Sequence, residues 1–512
     1  MKNGRKTRGW ASAALAVLFL LPALCVADSS LNLTLSGFPS RLNPLLATDT
    51  VSGELSLYLF DGLVKYDKNA KIVPEIAESW SFADDRTLIF KLRKDRLWHD
   101  KTPVTARDAV FLYETAIGDR VLTPYASTFR MVESVEAIDD FTLKVVYRSP
   151  YFKALETWMM PLIPEHILRD DPNLMGSSFN TRPVGNSFYK LEELTLSRNL
   201  NLFRFDDFSP YPPAIDRVVF EYIQDPNMEF LRLKSGQIHI GSLNAMQFER
   251  QTDNAFRERY EIIENGAFAY TYLGFNLHDP KFQDSRVREA LSYAIDRQEL
   301  VDVLFLGHGR VCNSPFLEGA IGYNDSIMSP EQNITKAKAL LKEAGYDENN
   351  PFTFTISTNS TNHIRLYAGE ILQHQLAKSG VKVTLRVMEW QAFLSRVVKT
   401  GNFETILLGW SLPLTPDPYS IWHSASDKAG GFNYIGYKNS EVDRLIEEAE
   451  VTNDREKVAA IFEKIGALIV RDNPYLFLYI PNEISAVSKK ITPLEATRFG
   501  FSYNRIDWRI DP

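Results

Sequence analysis

Apolar and polar residues alternate along this chain with two distinct periods. TLIFKLR, FTLKVVY and VVFEYI alternate apolar and polar residues with a period near two, as half-buried strands do. The short apolar runs LNLTL and LSLYLF precede them. Elsewhere the spacing is helical. In VTARDAVFLYETA the residues Ala109, Val110, Tyr113 and Ala116 share one side, and Thr105 with Asp108 has the form of a capped N-terminus. Val287, Ala290, Leu291, Ala294 and Ile295 repeat that spacing, and Asp296 with Glu299 predicts a fresh helix start. Ser329-Pro330, with Gln332 at the box position, predicts a further helix that Gly345 closes. SEVDRLIEEAE and DREKVAAIFEKIGALIVRD predict two long helices near the end. No repeat or heptad run accompanies these elements, so interleaved strands and helices predict mixed α/β lobes rather than a bundle or a sandwich.

Length sets the number of lobes. Single cores stop growing near roughly 250–300 residues, so 512 residues with 45% hydrophobic content predict at least two. The N-terminus adds a destination. Lys2, Arg5, Lys6 and Arg8 precede ASAALAVLFLLPAL, which is shorter than the ~20 apolar residues of a spanning helix and has the layout of a signal peptide cleaved after Ala27. Cys25 as a bacterial lipoprotein cysteine is the competing reading, but Leu24 precedes it where that motif has Gly, Ala or Ser. An exported, periplasmic, water-soluble protein is therefore expected. The net charge of −8 becomes more negative once the basic leader is lost, which argues against nucleic-acid binding.

Catalytic chemistry finds no support in the motifs. There is no G-x-x-x-x-G-K-[ST], H-E-x-x-H, G-x-S-x-G or C-x-x-C, and the eight histidines lack the i, i+4 pairing of a helical metal site. The carboxylates Glu447, Glu448 and Glu450 have the pattern of a solvated helix face. Cys312 would be the only thiol after processing, so no disulfide framework exists. No catalytic residue, metal or cofactor is expected.

Several stretches together resemble a known family. The segment from LNPLLATDT through WHDKTPVTARDAVF, then PVGNSFYKL, YTYLGFNLHDPKFQDSRVREALSYAIDRQELVD, MEWQAFL, ILLGW and NYIGYKNSEVDRLIEEA, occur in the order found in extracellular solute-binding proteins of peptide-type ABC importers, the oligopeptide- and dipeptide-binding group of family 5. The resemblance implies a periplasmic-binding-protein-like α/β fold of type II, cluster C: two main lobes joined by two hinge strands, with an additional inserted lobe. It places the signal peptide at 1–27, lobe I at 28–63, the inserted lobe II at 64–185, lobe I again at 186–267, lobe III at 268–479 and the last lobe I segment at 480–512. The hinge strands fall near 267–276 and 475–484. Closure of the lobes around a ligand, and delivery to a membrane permease by a monomeric receptor, are the implied mode of action.

A receptor for many peptides pairs with the ligand main chain and leaves roomy aromatic pockets for side chains. The resemblance points to Trp390 and Trp410 as pocket residues, with Tyr272 on the incoming hinge strand and Asn433 and Tyr434 following. Each ring has the alternative role of core packing. Two turns depart from the family pattern: Lys101 stands where an Asp-Gly turn has glycine, and NSFY replaces T-G-P-Y or N-G-P-Y.

The loop WSLPLTPDPY departs furthest. Pro413 occupies the position at which the family's peptide receptors carry an aspartate for the ligand's α-amino group, and Asp417, flanked by Pro416 and Pro418, is the nearest carboxylate. Prolines restrict the backbone there and can hold a carboxylate ready for a cation. Asp417 is expected as the amine anchor, or the ligand's amine is not anchored as in those receptors; the alternative role for Asp417 is to close a local turn by binding backbone amides. Peptides are the first expectation for the ligand. Nickel chelates, haem, oligosaccharides and opine-like solutes are the alternatives within the family, and a sensory or chaperone-like periplasmic peptide receptor is another.

Overall fold

The structure, a computed structural model, describes residue 1 and residues 29–194, 199–497 and 500–511. Cys25 and nearly all of the expected signal peptide lie outside them. Among the described residues no helix is long and apolar enough to cross a membrane.

The alternating segments become strands of separate sheets. Arg217–Tyr222 lies between Ser30–Leu35, which it meets in parallel, and Asn199–Arg204, with Tyr189–Leu194 beyond. Thr87–Leu92 and Thr142–Tyr147 form the centre of an antiparallel sheet edged by Ala77–Phe82 and Val132–Asp139, the heart of the inserted lobe. An eight-stranded sheet runs Ile240–Leu243, Tyr475–Ser488, Ala269–Phe275, Thr405–Ser411, Thr353–Asn359, Lys382–Met388, and Tyr260–Gly266 and Gly309–Val311 also pair with its long strand. Period two is visible in its two cores. Tyr270, Tyr272, Ile406, Leu408 and Phe477 pack on one face, while Leu273, Phe275, Leu407, Leu476 and Leu478 pack on the other.

The hinge follows from one long strand. Within Tyr475–Ser488, residues 475–479 pair with Ala269–Phe275 and residues 482–488 pair with Tyr260–Gly266. The two segments therefore change partners side by side, at Ala267 and at Pro481. Ala267 N–H donates to Pro481 O at 3.2 Å.

Two segments depart from the sequence expectation. LSLYLF is not a separate apolar run but the end of helix Thr50–Leu59; Asp49 Oδ1 accepts from Ser52 N at 3.0 Å, and the alternating Leu55 and Leu59 also stand one helical turn apart and are buried. The helix expected at Ser329-Pro330 begins later, as Ile334–Glu343. Asn333 caps it by accepting from Lys336 N at 2.9 Å, while Gln332 instead donates to Ala294 O at 3.1 Å. The caps at Thr105 and Asp296 form: Thr105 N donates to Asp108 Oδ2 at 2.8 Å, and Glu299 N donates to Asp296 Oδ1 at 3.0 Å. Lys101 keeps the left-handed backbone of the turn it shares with glycine, at φ 73°, and its Nζ reaches Asp207 Oδ2 at 2.9 Å.

The inserted lobe is rooted at one compact point. Asn186 N and Ser187 N both donate to Leu59 O, at 2.9 and 3.1 Å, so the outgoing and returning chains touch. Gly185 is required there, since a Cβ would lie 1.9 Å from Leu59 O. Arg96 plugs the root. Its guanidinium, 1% exposed, pairs with Asp61, meets Glu75 Oε1 at 2.9 Å and donates to Asn186 O at 3.2 Å. Burial and the neighbouring Glu75 push the Asp61 carboxyl up to about 6 despite the arginine.

Candidate functional site

A cavity of about 970 Å³ lies between the lobes, at the upper end of the roughly 300–1,000 Å³ range of small-molecule sites. Each part of the fold contributes a wall. The lining residues come from the helix Thr50–Leu59, the strand ends around Thr34 and Ser242, Glu483 and Ser485 of the strand Tyr475–Ser488, and Arg505; from Tyr125 and Lys153; and from Trp390, Trp410, Asp417 and Tyr434.

The aromatic wall is built on the sheet. Trp410, at the end of strand Thr405–Ser411, lies parallel to Tyr434 with ring centres 5.7 Å apart and to Tyr272 at 6.3 Å, and its Nε1 faces Tyr475 Oη at 3.4 Å. Tyr272 is fully buried, stacked on Tyr475 at 3.8 Å; it stiffens Trp410 from behind and does not line the cavity. Trp390 opens the short helix Trp390–Phe393, whose N-terminus Glu389 caps by accepting from Ala392 N at 3.0 Å. Asn433 has a different role. It is buried, donates to Tyr437 O at 2.8 Å and accepts from Tyr437 N at 3.0 Å, so its amide closes its own turn and is absent from the cavity wall.

The proline-rich loop meets the inserted lobe. Thr415 is buried there, within 3.4 Å of both Tyr66 Oη and Glu156 Oε1, and Pro416 O accepts from Lys153 Nζ at 3.4 Å. Asp417 starts helix Pro418–Trp422 without capping it: no backbone amide donates to its side chain, and the carboxylate has no hydrogen bond or ion pair among the described residues. It is half-buried and lines the cavity. Around it the two lobes are joined by Arg130, which pairs with Glu450 and lies 3.8 Å over the Tyr419 ring, by Arg455 with Glu156 at 3.7 Å, and by the edge of Tyr125 against Phe432.

Lobe I contributes groups that the sequence reading passes over. Glu54 is the only charged residue in TVSGELSLYL, and Glu483 sits within the expected hinge strand; both line the cavity. Confinement by surrounding protein holds both carboxyls above the usual range, with Glu483 raising Glu54 further and Arg505 lowering it. An unmatched charge in an otherwise neutral amphipathic helix was the available signal.

Chemically, the arrangement is an aromatic-walled, net-acidic cleft between hinged lobes. Among the described residues no group of three or more His, Cys, Asp or Glu side chains is placed to hold a metal ion.

Such a cleft, closed between lobes that share two crossing strands, defines a hinged solute-binding protein. The chain belongs to the bacterial extracellular solute-binding proteins of family 5, whose sequence profile, described as "Bacterial extracellular solute-binding proteins, family 5 Middle", matches residues 71–433. It is 31% identical over 474 residues to the oligopeptide-binding protein AppA of Bacillus subtilis, covering 89% of this chain and 87% of that one. The structure of AppA from Bacillus subtilis in complex with a nonapeptide superposes with a TM-score of 0.89 at 29% identity, over 94% of this chain and 99% of that chain. The fold is shared with NikZ from Campylobacter jejuni, solved in complex with Ni(L-His), at a TM-score of 0.84 and 24% identity, over 94% and 100% of the two chains.

Proposed function

We propose that this protein is a periplasmic peptide receptor, exported by its N-terminal signal peptide, that captures peptides in the interlobe cavity as a monomer and delivers them to an ABC-transporter permease. The observation that carries the reading is the free carboxylate of Asp417 beside Trp410, on the wall that faces the cavity. A carboxylate that faces the cavity without an internal partner is available to a cation brought by the ligand. The peptide α-ammonium supplies that cation, and the proline-flanked backbone keeps the carboxylate in place before the ligand arrives. Trp390, Trp410 and Tyr434 then offer rigid apolar surface to the ligand's side chains. The similarity to an oligopeptide-binding protein supports the same ligand class.

Asp417→Asn is expected to weaken binding of a peptide with a free N-terminus by about 1.5–3 kcal/mol, the worth of a charge-assisted hydrogen bond. Titration calorimetry with the free and N-acetylated forms of one peptide reads it. The wild type should prefer the free form and the variant should not; equal affinity of both proteins for both forms contradicts the anchor.

A further inference from the structure

Across the cavity from the aromatic wall stand four carboxylates, and one of them, Asp49, is held by its own helix cap, accepting from Ser52 N at 3.0 Å and Ser52 Oγ at 2.7 Å. Glu54 comes from helix Thr50–Leu59, Glu229 from helix Pro226–Lys234 and Glu483 from the hinge strand. Their partners differ. Glu229 Oε1 accepts from Thr34 Oγ1 at 2.6 Å and from Ser242 N at 2.9 Å, so the fold itself holds that group. Glu54 and Glu483 make no hydrogen bond or ion pair among the described residues. Both side chains are exposed and border the cavity.

The one cation nearby is already engaged. Arg505 lies over the Tyr58 ring, 4.3 Å from guanidinium carbon to ring centre, and its Nε donates to Ser502 O at 3.0 Å. It makes no ion pair with either glutamate, although it lowers the Glu54 carboxyl through space. Lys153, the remaining cation of the wall, belongs to the inserted lobe and donates to Pro416 O beside Asp417. Four carboxylates against one committed guanidinium leave this wall with uncompensated negative charge. Two of those carboxylates repel each other across the open space, and confinement keeps both above the ordinary range.

Two unpartnered carboxylates facing one cavity attract a cation brought by the ligand. The ligand's amino terminus is assigned to Asp417 on the opposite wall, so the cation must come from elsewhere on the ligand. We infer that Glu54 and Glu483 form a subsite for a basic side chain, and that the receptor selects peptides carrying lysine or arginine at one internal position. The inference rests on the peptide reading given above. Ser485 and Tyr58 border the same space and add hydroxyl groups to the wall. The carboxylates, rather than shape, set this preference, because the cavity is roomy enough for many side chains.

The test is selection from a pool. Mature protein is equilibrated with an equimolar pool of randomised hexapeptides, and the retained fraction is released and sequenced by mass spectrometry. Wild type is expected to enrich lysine and arginine about tenfold over input at one internal position and to deplete aspartate and glutamate there. The double variant Glu54→Gln, Glu483→Gln is isosteric; it is expected to retain peptides while the enrichment falls to input level. Retention without positional enrichment in the wild type, or enrichment that survives in the double variant, overturns the subsite and leaves the peptide reading standing. Failure of the wild type to retain any peptide overturns that reading and the subsite with it.

Discussion

Replacing Arg96 with methionine is expected to destabilise the protein by about 3–5 kcal/mol, because removing one member of a buried ion cluster leaves the others uncompensated. Arg96 lies between Asp61 and Glu75 at the root of the inserted lobe, 1% exposed, with the Phe208 ring 4.4 Å from its guanidinium carbon. Methionine preserves much of the packing against that ring and removes the charge. Glu75 keeps Lys65 as a partner, whereas Asp61 keeps only the Ser187 hydroxyl and the distant Lys65. The deficit should depend on pH. The Asp61 carboxyl, raised to about 6 from its ordinary 3.8, contributes stability that is complete below the unfolded value and is lost as pH rises through the folded one. Loss of Arg96 raises it further, so the difference between variant and wild type should narrow on going from about pH 8 to pH 5. Urea unfolding at the two pH values measures this, and a loss below about 1 kcal/mol at both contradicts it. The same root sets how the inserted lobe overhangs the cavity, so the variant should also bind ligand less tightly.

Trp410→Ala is expected to weaken peptide capture by about 2–4 kcal/mol, roughly 30- to 700-fold in Kd, the range of a central aromatic hot spot. The indole is held parallel to Tyr272 behind it and Tyr434 beside it, with Phe432 against it at 74°. That framework fixes the ring before ligand arrives, so binding orders little of it. Alanine loses the contact surface and also frees Tyr434 to move into the gap. Trp410→Phe, which keeps a ring in the stack, should recover most of the loss. Calorimetry against one peptide distinguishes these outcomes, with thermal unfolding as the control for folding; an unchanged Kd in the alanine variant would remove Trp410 from the binding surface.

How much of this was legible in the sequence depends on whether a signal was local. TLIFKLR and VVFEYI have a period near two, and strands follow, because burial of one sheet face is written into adjacent residues. SEVDRLIEEAE becomes helix Ser440–Glu450 for the same kind of reason. LSLYLF was ambiguous, since Leu55, Leu57 and Leu59 fit a strand while Leu55 and Leu59 also fit a helical turn, and only the Asp49 cap upstream decides it. The lobes and hinge were legible only through the whole-chain resemblance, since nothing in the residues around Ala267 or Pro481 announces that one strand serves two lobes.

The cavity was half legible. Trp390, Trp410, Asp417 and Tyr434 lie near one another in sequence and share one wall. Tyr272 and Asn433 have similar sequence credentials, but the sheet turns the first inward and the second is consumed by its own turn. Glu54 and Glu483 stand at opposite ends of the chain, and only the return of the hinge strand brings them to one wall. Side chains that meet through topology leave no periodicity to read.

Native mass spectrometry of the mature protein as purified asks whether the cavity takes peptides. After gentle desolvation the protein should carry a spread of added masses, and denaturing analysis should resolve the released material into a ladder of peptides. A single non-peptide mass, or a metal complex, would leave the fold and the hinge intact and contradict the assigned ligand.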